Sequence, residues 1–265
     1  MPPAKQRTRT YDPAKIRAAV LSQFGHVRAG ISGLAPGQLG LPTRLGAWTV
    51  RDLAAHISMT VDSVSVALER EEPPAAEVTL LDYPLLTASL APAIAEGSRA
   101  LAERAPDLTA LFARTEERIT DSLATAPGTR PLALRAGSMR LSDYLVTRTV
   151  ELVVHTDDLN AAVPGLDLPI ERQALAACTR LLADTLAVRA PGGSTEVRIP
   201  PYAVVQCVEG PRHTRGTPPN VVETDPLTWI RLATGRLDWR TALDEAKLSA
   251  SGERADLSAL LPVLS

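Results

Sequence analysis

Apolar residues recur at helical spacing through the first half of the chain. Ile16, Val20, Phe24, Val27 and Ile31 trace one stripe, and Asp12-Pro13 ahead of them has the form of an N-cap followed by proline at the first helical position. Gly33 and the Ala35-Pro36-Gly37 turn close that helix. A second helix opens at Thr49, with Asp52 three residues on in a capping-box arrangement, and runs to about Glu69, short of Pro73-Pro74. Its apolar face is Leu53, Ile57, Val61, Val64 and Leu68. A third helical region covers roughly 84 to 124, interrupted near Pro92 and Pro106. A fourth begins near Ser142 and ends before Pro164-Gly165. Four helices with polar connections predict an antiparallel bundle.

After residue 165 the pattern changes. One more helix, about 170 to 189, runs into the break at Pro191-Gly192-Gly193. Strand-like runs follow at Glu196–Ile199, Ala203–Val208 and Asn220–Glu223. Asp225-Pro226 opens a helix through Thr234 that Gly235 ends, and Asp238 caps another short one. Lys247–Ser251 reads as a last strand and Asp256–Leu261 as a last helix. The fold class is therefore α+β, with a helical bundle over residues 11–164 and a small α+β domain over 165–265.

Composition narrows the function classes. The chain has 265 residues, 45% of them hydrophobic, enough for a substantial core. A net charge of -2 gives no nucleic-acid footprint. No apolar run approaches the roughly 20 residues of a membrane helix. The basic Met1–Thr10 segment lacks the apolar core of a secretory signal and reads as a frayed start. Cys178 and Cys207 form no CxxC pair and sit among aliphatic residues, as buried free thiols of a reducing compartment do. A cytoplasmic protein, monomeric or weakly dimeric, is expected.

The candidate chemistry lies on the second and fourth helices. Glu151 and His155 are four apart and share a face, with Asp158, Arg148 and Tyr144 on the same side. Aliphatic residues approach that polar stripe from both sides, so it points into the bundle. His56 stands in the apolar face of the second helix, between Leu53 and Ile57. A buried carboxylate needs a partner or a metal. Two imidazoles and a carboxylate are a usual ligand set for a catalytic zinc site with one open position, and they accept iron, nickel or manganese as well. Spacing alone leaves a second reading open, in which Arg148 pairs with Glu151 and the histidines only form hydrogen bonds. Asp158 either orients a ligand imidazole or makes a surface salt bridge. His26, His213 in the basic 211–216 loop, the Glu116-Glu117-Arg118 cluster and the packing residues Trp48, Trp229 and Trp239 carry no comparable signal.

Trp48-Thr49-Val50-Arg51-Asp52-Leu53-Ala54-Ala55-His56 resembles the corresponding segment of the DinB-like metalloenzymes. Glu151-Leu152-Val153-Val154-His155-Thr156-Asp157-Asp158-Leu159 resembles that of their mycothiol-dependent maleylpyruvate isomerase branch. Glu223 through Trp229, Ala233 through Arg236 and Leu248 through Gly252 are similar to that branch's small domain, which resembles sterol-carrier proteins. The resemblance implies that His56, Glu151 and His155 hold a divalent metal, most simply zinc, and that the thiol cosubstrate is mycothiol. It also implies that an arginine of the C-terminal domain reaches the active site; Arg236 matches best and Arg231 next. Asp157 stands where the family often has Trp; it faces away from the metal stripe, so altered packing is expected rather than a lost ligand. The expected activity is thiol transfer to a small electrophile, or its cis–trans isomerisation. The competing functions are a lipid- or small-molecule-binding protein with a vestigial metal site and a metal-hydroxide hydrolase.

Overall fold

A computed structural model describes residues 9–210 and 219–264, apart from the side chains of residues 85–88. The basic loop with His213 and most of the Met1–Thr10 segment lie outside them. Arg9, at the end of that segment, is held by Asp184, 2.9 Å away.

The helical half contains α1 (Pro13–Ser32), α2 (Val50–Leu68), α3 (Tyr83–Arg104), α4 (Leu108–Thr125) and α5 (Leu141–Ala162). Both predicted helix starts form. The Asp12 side chain accepts from the Ala14 and Lys15 amides, and Thr49 and Asp52 cap α2 reciprocally. The expected third helix is two. Pro106 separates α3 from α4, whereas α3 runs unbroken through Pro92. Pro92 is exposed, so water can replace the amide donor that its ring lacks.

Helices α1, α4, α2 and α5 pack around one core in that cyclic order, and α3 lies against α2. Phe24 of α1 stacks on Phe112 of α4 with ring centroids 5.1 Å apart. A short antiparallel hairpin, β1 (Pro131–Leu134) and β2 (Gly137–Arg140), precedes α5. Its sequence gives no strand signal, because neither strand holds a β-branched or aromatic residue. Gly137 turns it at φ 114°, and a Cβ there would come within 2.7 Å of Val78.

Helix α6 (Arg172–Arg189) joins the halves, touching α1 and α5 on one side and β4 and α7 on the other. The C-terminal sheet comprises β3 (Thr195–Ile199), β4 (Ala203–Cys207), β5 (Val221–Thr224) and β6 (Leu248–Ser251), in the order β4-β3-β5-β6. Only β3 and β5 are parallel neighbours. Helices α7 (Pro226–Ala233) and α8 (Trp239–Asp244) lie between β5 and β6 in sequence. The helix expected at Asp256–Leu261 is a single 3-10 turn, Ser258–Leu260; Pro262 follows closely and prevents continuation. The whole is a helical bundle followed by a small mixed sheet domain. Among the described residues, no helix is long and apolar enough to cross a membrane.

Candidate metal centre

α2 and α5 are adjacent, and their contact brings His56 against Glu151 and His155. One donor atom from each lies within 4.8 Å of the others. The imidazole rings stand nearly perpendicular, at 88°, with centroids 4.8 Å apart. His56 is 5% exposed, and the ring of Trp48 leans on it at 5.2 Å.

Hydrogen bonds settle which ring nitrogens face inward. Ser98 on α3 donates its hydroxyl proton to the Ile94 carbonyl, 2.8 Å away, so it accepts from His56 Nδ1 at 3.1 Å. The His155 Nδ1 lies 2.9 Å from Asp158 Oδ2, a carboxylate that can only accept. With both Nδ1 atoms protonated, each neutral ring presents the lone pair of Nε2. These two nitrogens face Glu151 Oε2 at 3.3 and 3.4 Å. Three lone-pair donors converging on one point repel each other unless a cation lies among them. A divalent metal meets that need, as does a proton shared with His155. The donor set, its burial and the outward hydrogen bonds of both imidazoles all fit a metal ligand set.

The charges follow from these contacts. Burial pushes the His56 pKa down, which keeps its lone pair available. Burial acts the same way on His155, but its hydrogen bonds to Asp158 and Glu151 outweigh it and raise the pKa. Burial would raise that of Glu151; hydrogen bonds to the two histidines and the nearby Arg148 charge hold it well below the usual carboxylate range.

Glu151 has a further partner. Tyr83 donates its hydroxyl to Glu151 Oε1 at 2.5 Å and accepts from Arg148 Nη2 at 3.0 Å. The direct Arg148–Glu151 ion pair left open by the spacing does not form. Among the described residues the acceptors of Arg148 are the Thr60 carbonyl, the Thr147 hydroxyl and Tyr83 Oη.

Asp158 is no surface residue. Its side chain is 0% exposed and binds Arg44 at 2.5 Å, Arg236 at 3.0 Å and the His155 imidazole. Asp157 beside it takes Arg44 and both Nε and Nη2 of Arg231. The arginines expected from the C-terminal domain thus arrive at the last turns of α5, behind His155. Neither borders the cavity of about 350 Å³ that His56, Glu151, Tyr83 and Arg148 line. Asp157 is not among the clustered donors and is occupied by Arg44 and Arg231.

Tyr83, Ser98 and Arg44 escape the sequence reading. They lie outside the two motif segments, on a loop and a helix whose placement depends on tertiary contacts. His26 stays apart from the triad, with no hydrogen-bond partner for Nδ1 among the described residues. The Glu116–Arg118 cluster is tied down: Glu116 pairs with Arg28, and Arg118 with Asp62 and Glu69. Trp229 is buried in the C-terminal domain and Trp239 nearly so.

Comparison with known proteins agrees with this layout. Residues 171–263 match the family described as bacterial SCP ortholog. A crystal structure of mycothiol-dependent maleylpyruvate isomerase superposes with a TM-score of 0.59 at 16% identity, covering 93% of this chain and 95% of that one. A histidine-to-alanine mutant of a mycothiol-dependent maleylpyruvate isomerase superposes at 0.60 and 15% identity, with the same coverage. At that identity the likeness establishes the fold. No curated protein matches. Residues 20–160, more than half of the chain and including all three members of the triad, match the mycothiol maleylpyruvate isomerase N-terminal domain, and the chain belongs to that family.

Proposed function

We propose that this protein is an enzyme that holds a divalent metal, zinc in the simplest case, on His56, Glu151 and His155. With it the enzyme activates mycothiol for addition to a small electrophile, ending in thiol transfer or in cis–trans isomerisation. The observation that carries this reading is the convergence of two imidazole lone pairs and a carboxylate oxygen inside the bundle. Family membership supplies the thiol. A divalent cation bound there favours the thiolate form of a docked thiol at neutral pH, and the thiolate is the nucleophile.

The chain's own residues have distinct tasks. Ser98 and Asp158 fix the tautomers of His56 and His155, so both Nε2 atoms face the same point. Tyr83 holds one carboxylate oxygen of Glu151 and leaves the other to the histidines. Arg236 serves as a positioning residue: it anchors Asp158 and acts on the site through His155. In this reading residues 11–164 carry the chemistry, and 165–265 lock the last turns of α5 through Arg231 and Arg236.

The test is metal analysis of purified protein, followed by incubation with mycothiol and a panel of electrophiles. One metal per chain, lost in His56→Ala, together with thiol-dependent product, is the expected result. Absence of metal at neutral pH overturns the reading. Turnover that proceeds equally without thiol replaces it with metal-assisted hydrolysis.

A further inference from the structure

The cavity beside the triad contains a second recognition element. Arg148 borders it, is only 6% exposed, and has only neutral acceptors among the described residues. Its guanidinium lies over the rings of Tyr144 and Tyr83, at 4.4 and 5.7 Å. Glu151 is the anion nearest to it, reached only through Tyr83 and shared with the two histidines. A buried cation with no directly bonded anion is costly, and the planar fork of arginine suits a carboxylate or another oxyanion. The nearby acids are otherwise engaged: Glu151 belongs to the triad, and Asp62 pairs with Arg118.

The remaining wall is mostly apolar. Met59, Val66, Ile94 and Met139 are among its members. Its other cations, Arg70 and Arg135, are exposed to solvent. One buried positive charge against an aliphatic wall matches one negative charge on an apolar body. A short dianion would place its second charge on that wall.

We infer that the electrophile handled at this site is an apolar molecule carrying a single anionic group, and that Arg148 binds that group. The electrophile's role rests on the thiol-enzyme reading above; the binding preference does not.

The test is calorimetric titration of the protein with 4-phenylbutyrate, its uncharged amide 4-phenylbutyramide, and succinate. It is run on metal-loaded protein and on protein stripped by a chelator, because a carboxylate also binds metals directly. In both forms the acid should bind about ten- to a hundredfold tighter than the amide, the worth of a charge-assisted hydrogen-bonded pair. It should also bind tighter than succinate. R148Q should lose the preference for the acid, and R148K should keep part of it. Equal binding of acid and amide by the stripped protein overturns the inference. So do tighter binding of succinate, no binding of the acid at millimolar concentration, and a preference unchanged in R148Q. Should R148Q fail to fold, an unchanged preference in R148K overturns it. Loss of thiol-dependent turnover with the acid preference intact removes the functional reading and leaves this one standing.

Discussion

Asp158→Asn separates the two tasks of the buried carboxylate at the end of α5. The wild-type side chain is fully buried and serves His155, Arg44 and Arg236 together. Asparagine keeps an oxygen that can accept from His155 Nδ1 but carries no charge. Removing one partner of a buried ion pair typically costs about 3–5 kcal/mol. Here the value is smaller. The Arg44 side chain is 29% exposed and retains Asp157, and that of Arg236 is 15% exposed. A loss of about 2 kcal/mol follows after that screening. In a chain of this size it lowers Tm by about 4–8 °C. Loss of the charge behind a ligand imidazole weakens metal binding about tenfold, the lower end for such partners, and Asp158→Ala should reach about a hundredfold. Zinc competition against a chromophoric chelator at pH 7.5 and thermal unfolding of the metal-free protein give the two numbers. A metal Kd within twofold of wild type in both variants would refute the orienting role. An unchanged Tm in the metal-free protein would refute the ion cluster.

Acid should expose the same cluster. Burial pushes the pKa values of Asp157 and Asp158 up, but Arg231 and Arg44 on the first, and His155 and Arg236 on the second, bring both below the usual carboxylate range. Their stabilisation is therefore complete above the unfolded pKa near 4 and is lost as pH falls through the lower folded values. Tm measured from pH 6 to pH 2.5 should fall steeply below about pH 4, and less steeply in Asp158→Asn. Ser98→Ala removes the acceptor of His56 Nδ1 in a buried place and should weaken zinc about tenfold; equal affinity in the same chelator competition would show that Ser98 does not set the tautomer. Thr49→Ala breaks the reciprocal cap of α2 and should lower stability by about 1 kcal/mol in urea unfolding. His56 lies almost two turns farther along α2, so metal affinity should stay within threefold.

Much of the local structure was legible in residue order. Proline at the first helical position, the Thr49–Asp52 box and the period of the apolar stripes act within a few residues, and they placed α1, α2, α5 and α7 near their observed bounds. Shared-face spacing on α5 put Glu151, His155 and Asp158 together, since one helix dictates that geometry by itself. The β1–β2 hairpin was not legible, because pairing holds two runs with no strand propensity of their own.

The sequence alone determined which residue types could meet a metal and on which helices they stand. It left open whether Glu151 would be neutralised by Arg148 or face the two histidines. Only the contact of α3 with α2 decided that, by inserting Tyr83 between Arg148 and Glu151 and setting Ser98 behind His56. Likewise, Arg231 and Arg236 were recognisable as candidates, but their destination depended on α6, which packs against both α5 and α7. It sends them to Asp157 and Asp158. Spacing along one helix is local covalent geometry. Which charge finds which partner is settled between elements far apart in the chain, by the need to leave no buried charge uncompensated.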